Sequence, residues 1–370
     1  MCKRNSSFFA TPVDISQVQG AETVLHYFDA RTPRALLIPT RRINLPTPLL
    51  MTAGVNCSRF AAIVVTLCCA LVGISRTAAG DNSPTEKIFE PRPSDQIWLV
   101  NTRGIGCVDN HLGWTTSRYE AGYWKSEDDK AFDSSDDQET VTVIYVHGNR
   151  MDAAGAEARG LAIYRELFSS QTQGKIRFVI WSWPSDQIRG PIKDVRYKAY
   201  RSDDEAYLLA RFLSPIPADR QVSLIGFSYG ARIVGGGLHI LGGGEMVGRK
   251  IEEAKRPTFR VVYWAAGVQN DWLLPGNVHS RAMPLGQKWL NIYSSCDSVL
   301  WRFDKIDKCD GSPGLGYVGL AGGKSYLPAE LADRYEDFDA AHLIGGDHRS
   351  EPYFFNSEII RKTRETVLAK

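Results

Sequence analysis

Residues 221–234 read QVSLI, GFSYG, ARIV in succession, and no other stretch limits the fold of this chain so strongly. An apolar run of strand character passes through a Gly-x-Ser-x-Gly turn into a segment of helical character, so strand, sharp turn and helix must be consecutive. Ser228 sits at the corner, where the backbone takes strained angles. Gly226 and Gly230 flank it, because a larger side chain at either position would collide with the neighbouring strand or helix. Such a corner exposes a single hydroxyl at the end of a strand. A serine hydroxyl held there is a candidate nucleophile.

The remaining sequence supplies a sheet and helices around that corner. Runs at 97–102 (IWLVNT), 140–146 (TVTVIYV), 176–181 (IRFVIW), 221–225 (QVSLI), 260–264 (RVVYW) and 289–293 (WLNIY) have strand character. Several are continuous apolar stretches, as strands buried on both faces require. Helical character falls at 153–168, 203–213, 232–241 and 355–368. Their alternation predicts parallel βαβ units: an α/β fold with a mostly parallel central sheet, helices on both faces and no large lid domain. The segment 126–139 (SEDDKAFDSSDDQE) reads as an acidic, solvated connection between an early antiparallel hairpin and the main sheet. With 43% hydrophobic and 23% charged residues over 370, the chain can bury a core of this size, and wholesale disorder and a multi-span membrane protein are excluded.

Residues 60–74 (FAAIVVTLCCALVGI) carry no charge, follow Arg59 and precede the small residues at 77–80, which is the layout of a secretory signal peptide. The run is shorter than the ~20 apolar residues of a spanning helix. A membrane tether through 60–74 stays open as the alternative, because Arg76 stands close behind it. Met51 is the expected start. On that reading 51–80 is the signal peptide or anchor, 81–95 a polar linker and 96–370 the α/β domain. Residues 1–50, broken by Pro12, Pro33, Pro39, Pro46 and Pro48, read as an untranslated or disordered extension. Export to a periplasmic or extracellular space, with cleavage near Asp81, follows from this.

Cys107, Cys296 and Cys309 would then remain, and Cys296 and Cys309 can close a short loop, with the pairing left open. No Cys-x-x-Cys or His/Cys cluster has metal-ligand spacing, so neither metal nor cofactor is expected. Residues 1–80 hold 8 Lys/Arg against 3 Asp/Glu, and the remainder carries a net −3. That balance gives no clustered basic surface for nucleic acid or anionic headgroups. The sequence leaves the oligomeric state open.

The strand at 140–146 ends in His147-Gly148-Asn149, and Ser182-Trp183-Pro184-Ser185 follows the next strand. Together with the corner at 226–230, and in this order, these segments resemble the α/β-hydrolase superfamily over roughly 96–368, in particular a bacterial group of its serine hydrolases with no assigned substrate. Two departures bear on the acyl pocket: the tyrosine of the group's oxyanion segment is missing, and GFSYG replaces the His-Ser-Met-Gly of many members.

The resemblance implies a triad in the chain order serine, acid, histidine. Asp297, just after the strand at 289–293, is the implied acid, ahead of Asp304, Asp307 and Asp310 on a charged loop. His348, presented by Gly345-Gly346-Asp347, is the implied base, with His342 as the alternative. His26, His111 and His147 precede the serine, His239 lies in the helix after it, and His279 precedes the acid's strand. His147 reads as a brace for its loop. Oxyanion donors are implied near Asn149 and at the Tyr229 N–H.

Trp181, Trp183 and Tyr229 are candidates to line an apolar acyl pocket, and 267–287, with Trp272, Leu273 and Leu274 as a rim, is the only candidate cap. The implied activity is hydrolysis of an acyl ester of a small or lipid-like substrate. An amidase, peptidase or thioesterase would use the same triad, and a non-catalytic secreted binding protein could keep the same fold.

Overall fold

The computed structural model describes residues 89–105, 113–168, 172–306 and 311–369. The chain divides into two compact units, 1–80 and 81–370. The first unit, which contains the expected extension at 1–50 and the apolar run at 60–74, lies outside the described residues, as do His111, Cys107, Asp307, Cys309 and Asp310. Among the described residues no helix is long and apolar enough to cross a membrane.

Within 81–370, nine strands form one sheet: β1 (Gln96–Asn101), β2 (Thr115–Glu120), β3 (Tyr123–Glu127), β4 (Thr140–Val146), β5 (Lys175–Ser182), β6 (Gln221–Phe227), β7 (Thr258–Trp264), β8 (Gly286–Tyr293) and β9 (Tyr335–Asp339). Their spatial order is β3-β2-β1-β5-β4-β6-β7-β8-β9. The β1–β2 and β2–β3 pairings are antiparallel. All later pairings, from β1–β5 to β8–β9, are parallel. This is an α/β-hydrolase-like layout.

Helices cover both faces. On one, α3 (Pro191–Leu213) packs on α4 (Tyr229–Leu241), and α4 packs on β6 and β4. On the other, α2 (Ala153–Leu167) packs on β5 and on the C-terminal helix Ser357–Val367, which itself lies against β7 and β8. The central strands are accordingly buried on both sides: Val143, Ile144, Tyr145 and Val146 of β4 are fully inaccessible, and so are Val222, Leu224 and Ile225 of β6.

This strand order locates the site. β4 and β6 are neighbours, yet the chain leaves β4 towards β5 on one side and leaves β6 towards β7 on the other. The crevice above their carboxyl ends is therefore a topological switch point, where open α/β sheets form binding sites.

Four elements differ from the expectation. The segment 126–139 is not a continuous loop, because β3 runs to Glu127 and a short helix α1 (Asp129–Ser134) follows. Asp128 caps that helix by accepting from Ala131 N–H, and Phe132 anchors it in the core. The helix expected at 203–213 starts at Pro191, because its first turns bury Asp194, Lys198 and Arg201 and so lack an apolar period. The helix expected at 355–368 is split at Asn356, which caps Ser357–Val367 after the separate turn Glu351–Phe355. Strand β9 (YEDFD) was not expected, since its charged residues hide the strand pattern.

α4 approaches β4 so closely that a side-chain carbon on Gly230 would sit on the Val146 carbonyl oxygen. Because backbone cannot swing aside as a side chain can, Gly230→Ala should destabilise the domain by about 1–3 kcal/mol. A melting temperature lower by several degrees is expected for a domain of this length. A melting temperature equal to that of the unsubstituted protein would contradict this packing.

Candidate active site

β6 delivers the chain to Ser228 with φ 52° and ψ −118°, a left-handed conformation that a non-glycine residue holds only under constraint. Three backbone bonds supply the constraint. Ser228 N–H donates to Trp264 O at 3.0 Å, and Ser228 O accepts from Ala231 N–H and Gly267 N–H, each at 3.0 Å. The loop after β4 lies directly alongside, so that a side-chain carbon on Gly148 would press on the Ser228 Cβ and the Phe227 ring.

β8 and the turn after it position Asp297. Its Oδ1 accepts from the N–H groups of Val299 and Leu300, both at 2.8 Å, and its Oδ2 lies 2.7 Å from His348 Nδ1. The carboxylate is fully buried. The loop carrying His348 is tied to the same turn, with Ser298 N–H donating to Gly346 O and Ser294 Oγ to Gly345 O. Since Asp297 offers only acceptors, Nδ1 carries the proton and Nε2 is left as the acceptor. His348 Nε2 stands 3.1 Å from Ser228 Oγ. One continuous line of hydrogen bonds thus joins Asp297, His348 and Ser228.

The other candidates lie elsewhere. His342 sits on the turn Ala341–Ile344 with its ring edge-on to Phe338, and Asp304 lies on α5 (Phe303–Ile306), off this line of hydrogen bonds. His239 Nδ1 accepts from Arg281 N–H, and His279 is buried edge-on against Trp272. Cys296 is an exposed free thiol, and Cys309, with which it could close a loop, lies outside the described residues, as does Cys107.

The loop after β4 is braced on both flanks. His147 is fully buried; its Nε2 accepts from Trp183 N–H at 3.2 Å, and Nδ1 lies 2.9 Å from Gly148 O. These partners require a neutral ring protonated at Nδ1. Burial pushes its pKa down to about 3, outweighing the Gly148 carbonyl, and the Arg103 charge acts in the same direction. Ser185 Oγ and Arg103 both donate to Met151 O at 2.9 Å.

On the other flank, Asp194 of α3 accepts from Asn149 Nδ2 at 3.1 Å, Arg150 Nε at 2.9 Å and Ile188 N–H at 3.0 Å. Burial pushes the Asp194 carboxyl up, but Arg150, the Ile188 N–H and Lys198 together hold it below the ordinary value. Arg150 itself has φ 59°. The Asn149 side chain is thereby committed to structure, since its Oδ1 also accepts from Arg150 N–H. Tyr229 opens α4 immediately behind Ser228, where the N–H groups of a helix lack intrahelical partners.

Ser228, Tyr229, Asn149 and His348 all face one cavity of about 660 Å³. The three indoles expected near it do not line it. Trp181 packs edge-on to Phe212 and donates to Glu205, Trp183 stacks on His147, and Trp272 donates to Gln269 beneath the Arg232 guanidinium. Each indole N–H finds its acceptor inside the protein, and that draws the ring inward. Trp272 and Leu273 are buried away from the cavity and form no rim, and of 267–287 only Gly267 lines it.

The apolar lining comes instead from Ile192 and Val195 of α3 and from Leu300 and Phe303. Sequence reasoning missed all four and Asp194; for Ile192, Val195 and Asp194 the reason is that the polar first turns of α3 conceal that it is a helix. The Lys198 four residues after Asp194 was the available signal. Among the described residues no group of three His, Cys, Asp or Glu side chains could hold a metal ion.

No protein-family model and no curated protein matches the chain. Among solved structures it is similar to the catalytic core domain of acetyl xylan esterase from Trichoderma reesei, with TM-score 0.34 and 14% identity over 62% of this chain and 100% of that one. It is also similar to an inhibited esterase B from Lactobacillus rhamnosis, with TM-score 0.32 and 13% identity over 74% of this chain and 86% of that one. The fold assignment rests on the sheet order and the strained corner.

The buried His147 makes stability depend on pH. Its native pKa, about 3, lies below the ordinary 6.5, so its contribution is complete above about pH 6.5 and is lost as pH falls towards 3. His279, also pushed well down by burial, acts in the same direction. Denaturant titrations at about pH 7 and about pH 4.5 should show the unsubstituted protein losing about 2–3 kcal/mol more than His147→Gln. Equal losses would mean that His147 is already charged in the native state.

Proposed function

We propose that the protein is a serine hydrolase that cleaves an acyl ester through a covalent acyl-enzyme. The observation that carries this reading is the line of hydrogen bonds from buried Asp297 through His348 to Ser228 on a strained corner, opening onto an apolar cavity. Ser228 Oγ attacks the ester carbonyl carbon while His348 Nε2 takes its proton. Asp297 keeps the imidazole in the required tautomer and stabilises its charged form. The tetrahedral oxyanion is held by the Tyr229 N–H and by a backbone donor at Asn149. His348 then gives its proton to the departing alkoxide oxygen, leaving Ser228 acylated. In the second half a water is deprotonated by His348, attacks the acyl carbon and releases the carboxylic acid, and Ser228 recovers its proton. Neither metal nor cofactor takes part in this sequence.

The assignment is tested by kcat measurements on activated esters. Ser228→Ala and His348→Ala should each lower kcat by roughly 10⁴-fold, and Asp297→Asn should also lower it steeply by favouring the wrong tautomer. His342→Ala should remain near the unsubstituted rate. Full turnover in Ser228→Ala would rule out Ser228 as the nucleophile, absence of turnover in the unsubstituted protein would point to a non-catalytic binding protein, and a reversed order of the two histidines would reassign the base.

Export through the apolar run at 60–74 belongs to the same proposal. N-terminal sequencing of the native protein should find a terminus close to Asp81, and a terminus upstream of Arg59 in a detergent-extracted protein would indicate a tether instead.

A further inference from the structure

The cavity has two chemically different walls, and the direction of proton transfer assigns a half of the substrate to each. One wall is aliphatic and aromatic. It is formed by Ile192 and Val195 from the first turns of α3 and by Leu300 and Phe303, the latter opening α5, which packs against α3. Leu300 and Phe303 are buried, whereas Ile192 is 57% exposed at the mouth.

A second wall, from α2 and the segment around His348, is polar and ion-paired. Arg159 of α2 donates to Ser350 Oγ and pairs with Glu351 at 2.7 Å, and Arg349 pairs with Asp347 at 2.6 Å. These two pairs sum to no net charge, yet they present both donors and acceptors to the cavity.

His348 belongs to the same segment as the polar wall. In the acylation step its Nε2 proton must reach the leaving oxygen, so the alcohol half of an ester lies on the His348 side. The acyl half is left with the α3–α5 wall.

We propose that the site takes esters joining an aliphatic acyl chain to a neutral, hydroxyl-bearing alcohol, an inference that rests on the hydrolase reading given above. The chain lies along Ile192, Val195, Leu300 and Phe303, and the hydroxyls of the alcohol exchange hydrogen bonds with Arg159 and Glu351. A charged headgroup finds no unbalanced partner on that wall.

The test compares kcat/KM for p-nitrophenyl esters from acetate to octanoate with kcat/KM for the matching glycerol monoesters. Each methylene buried on the α3–α5 wall should raise kcat/KM about fourfold until the wall is covered. Val195→Trp, which fills that wall, should lower the octanoate-to-acetate ratio by at least about tenfold. Ile192→Trp at the exposed mouth should move the ratio in the same direction and serves if Val195→Trp does not fold. Glu351→Ala should lower the glycerol-to-p-nitrophenyl ratio about fivefold.

Labelling of Ser228 by a fluorophosphonate accompanies every variant. A flat chain-length profile, or unchanged ratios in folded variants that label, would overturn the wall assignment alone. Failure of the unsubstituted protein to label would overturn the hydrolase reading and this inference with it.

Discussion

Everything in the site depends on the contact between the start of α4 and the end of β4. That contact is possible because Gly230 carries no side chain, so the Val146 carbonyl lies where a Cβ would stand. It brings the loop after β4 alongside Ser228 and fixes the strand-to-helix turn so tightly that Ser228 must adopt a positive φ. A conformation of that kind costs on the order of 1–3 kcal/mol. The bonds from Ser228 N–H to Trp264 O and from the Ala231 and Gly267 N–H groups to Ser228 O offset it and hold the corner in that geometry. The hydroxyl is thus presented to the cavity by backbone constraint, independent of the side chain's own preferences.

Around this corner, buried charges do the work usually left to apolar packing. Asp194, Lys198, Arg201 and Glu205 line the inner face of α3. Asp194 reaches the loop after β4, and Glu205 accepts from Thr102 and Trp181 while pairing with Arg201. Arg150 is well exposed, so its attraction for Asp194 is screened. The stronger constraint is that Asp194, once inaccessible to water, must keep its donors, because an unpaired buried carboxylate is very unfavourable. That requirement orients the loop bearing Asn149 and Arg150. It also couples the position of α3, and with it Ile192 and Val195 on the cavity wall, to the geometry next to Ser228.

Much of this was legible in the sequence, and the parts that were not share a physical cause. The corner and the central strands were readable because backbone sterics and two-sided burial leave direct patterns: glycines at fixed offsets and continuous apolar runs. Asp297 and His348 could be ranked by chain order and by the loops that carry them. The first turns of α3 and the strand β9 were not readable, because both satisfy buried polar groups through partners distant in sequence. In β9, Asp337 accepts from Asn291, Tyr335 and the Leu320 N–H, so an acidic residue occupies a place where the strand pattern calls for an apolar one. Trp181, Trp183 and Trp272 were assigned to the pocket by size and position alone. Their burial is decided by indole acceptors on Glu205, His147 and Gln269, which no local pattern reveals.

The central claim is that Ser228 becomes covalently acylated with His348 as its base. The most direct measurement is intact and peptide mass spectrometry of the protein quenched in acid during turnover of an activated ester. The account predicts one added acyl group, located on the peptide that contains Ser228 and absent from His348→Ala. Turnover with no adduct at Ser228, or an adduct on another nucleophile such as the exposed Cys296, would contradict it.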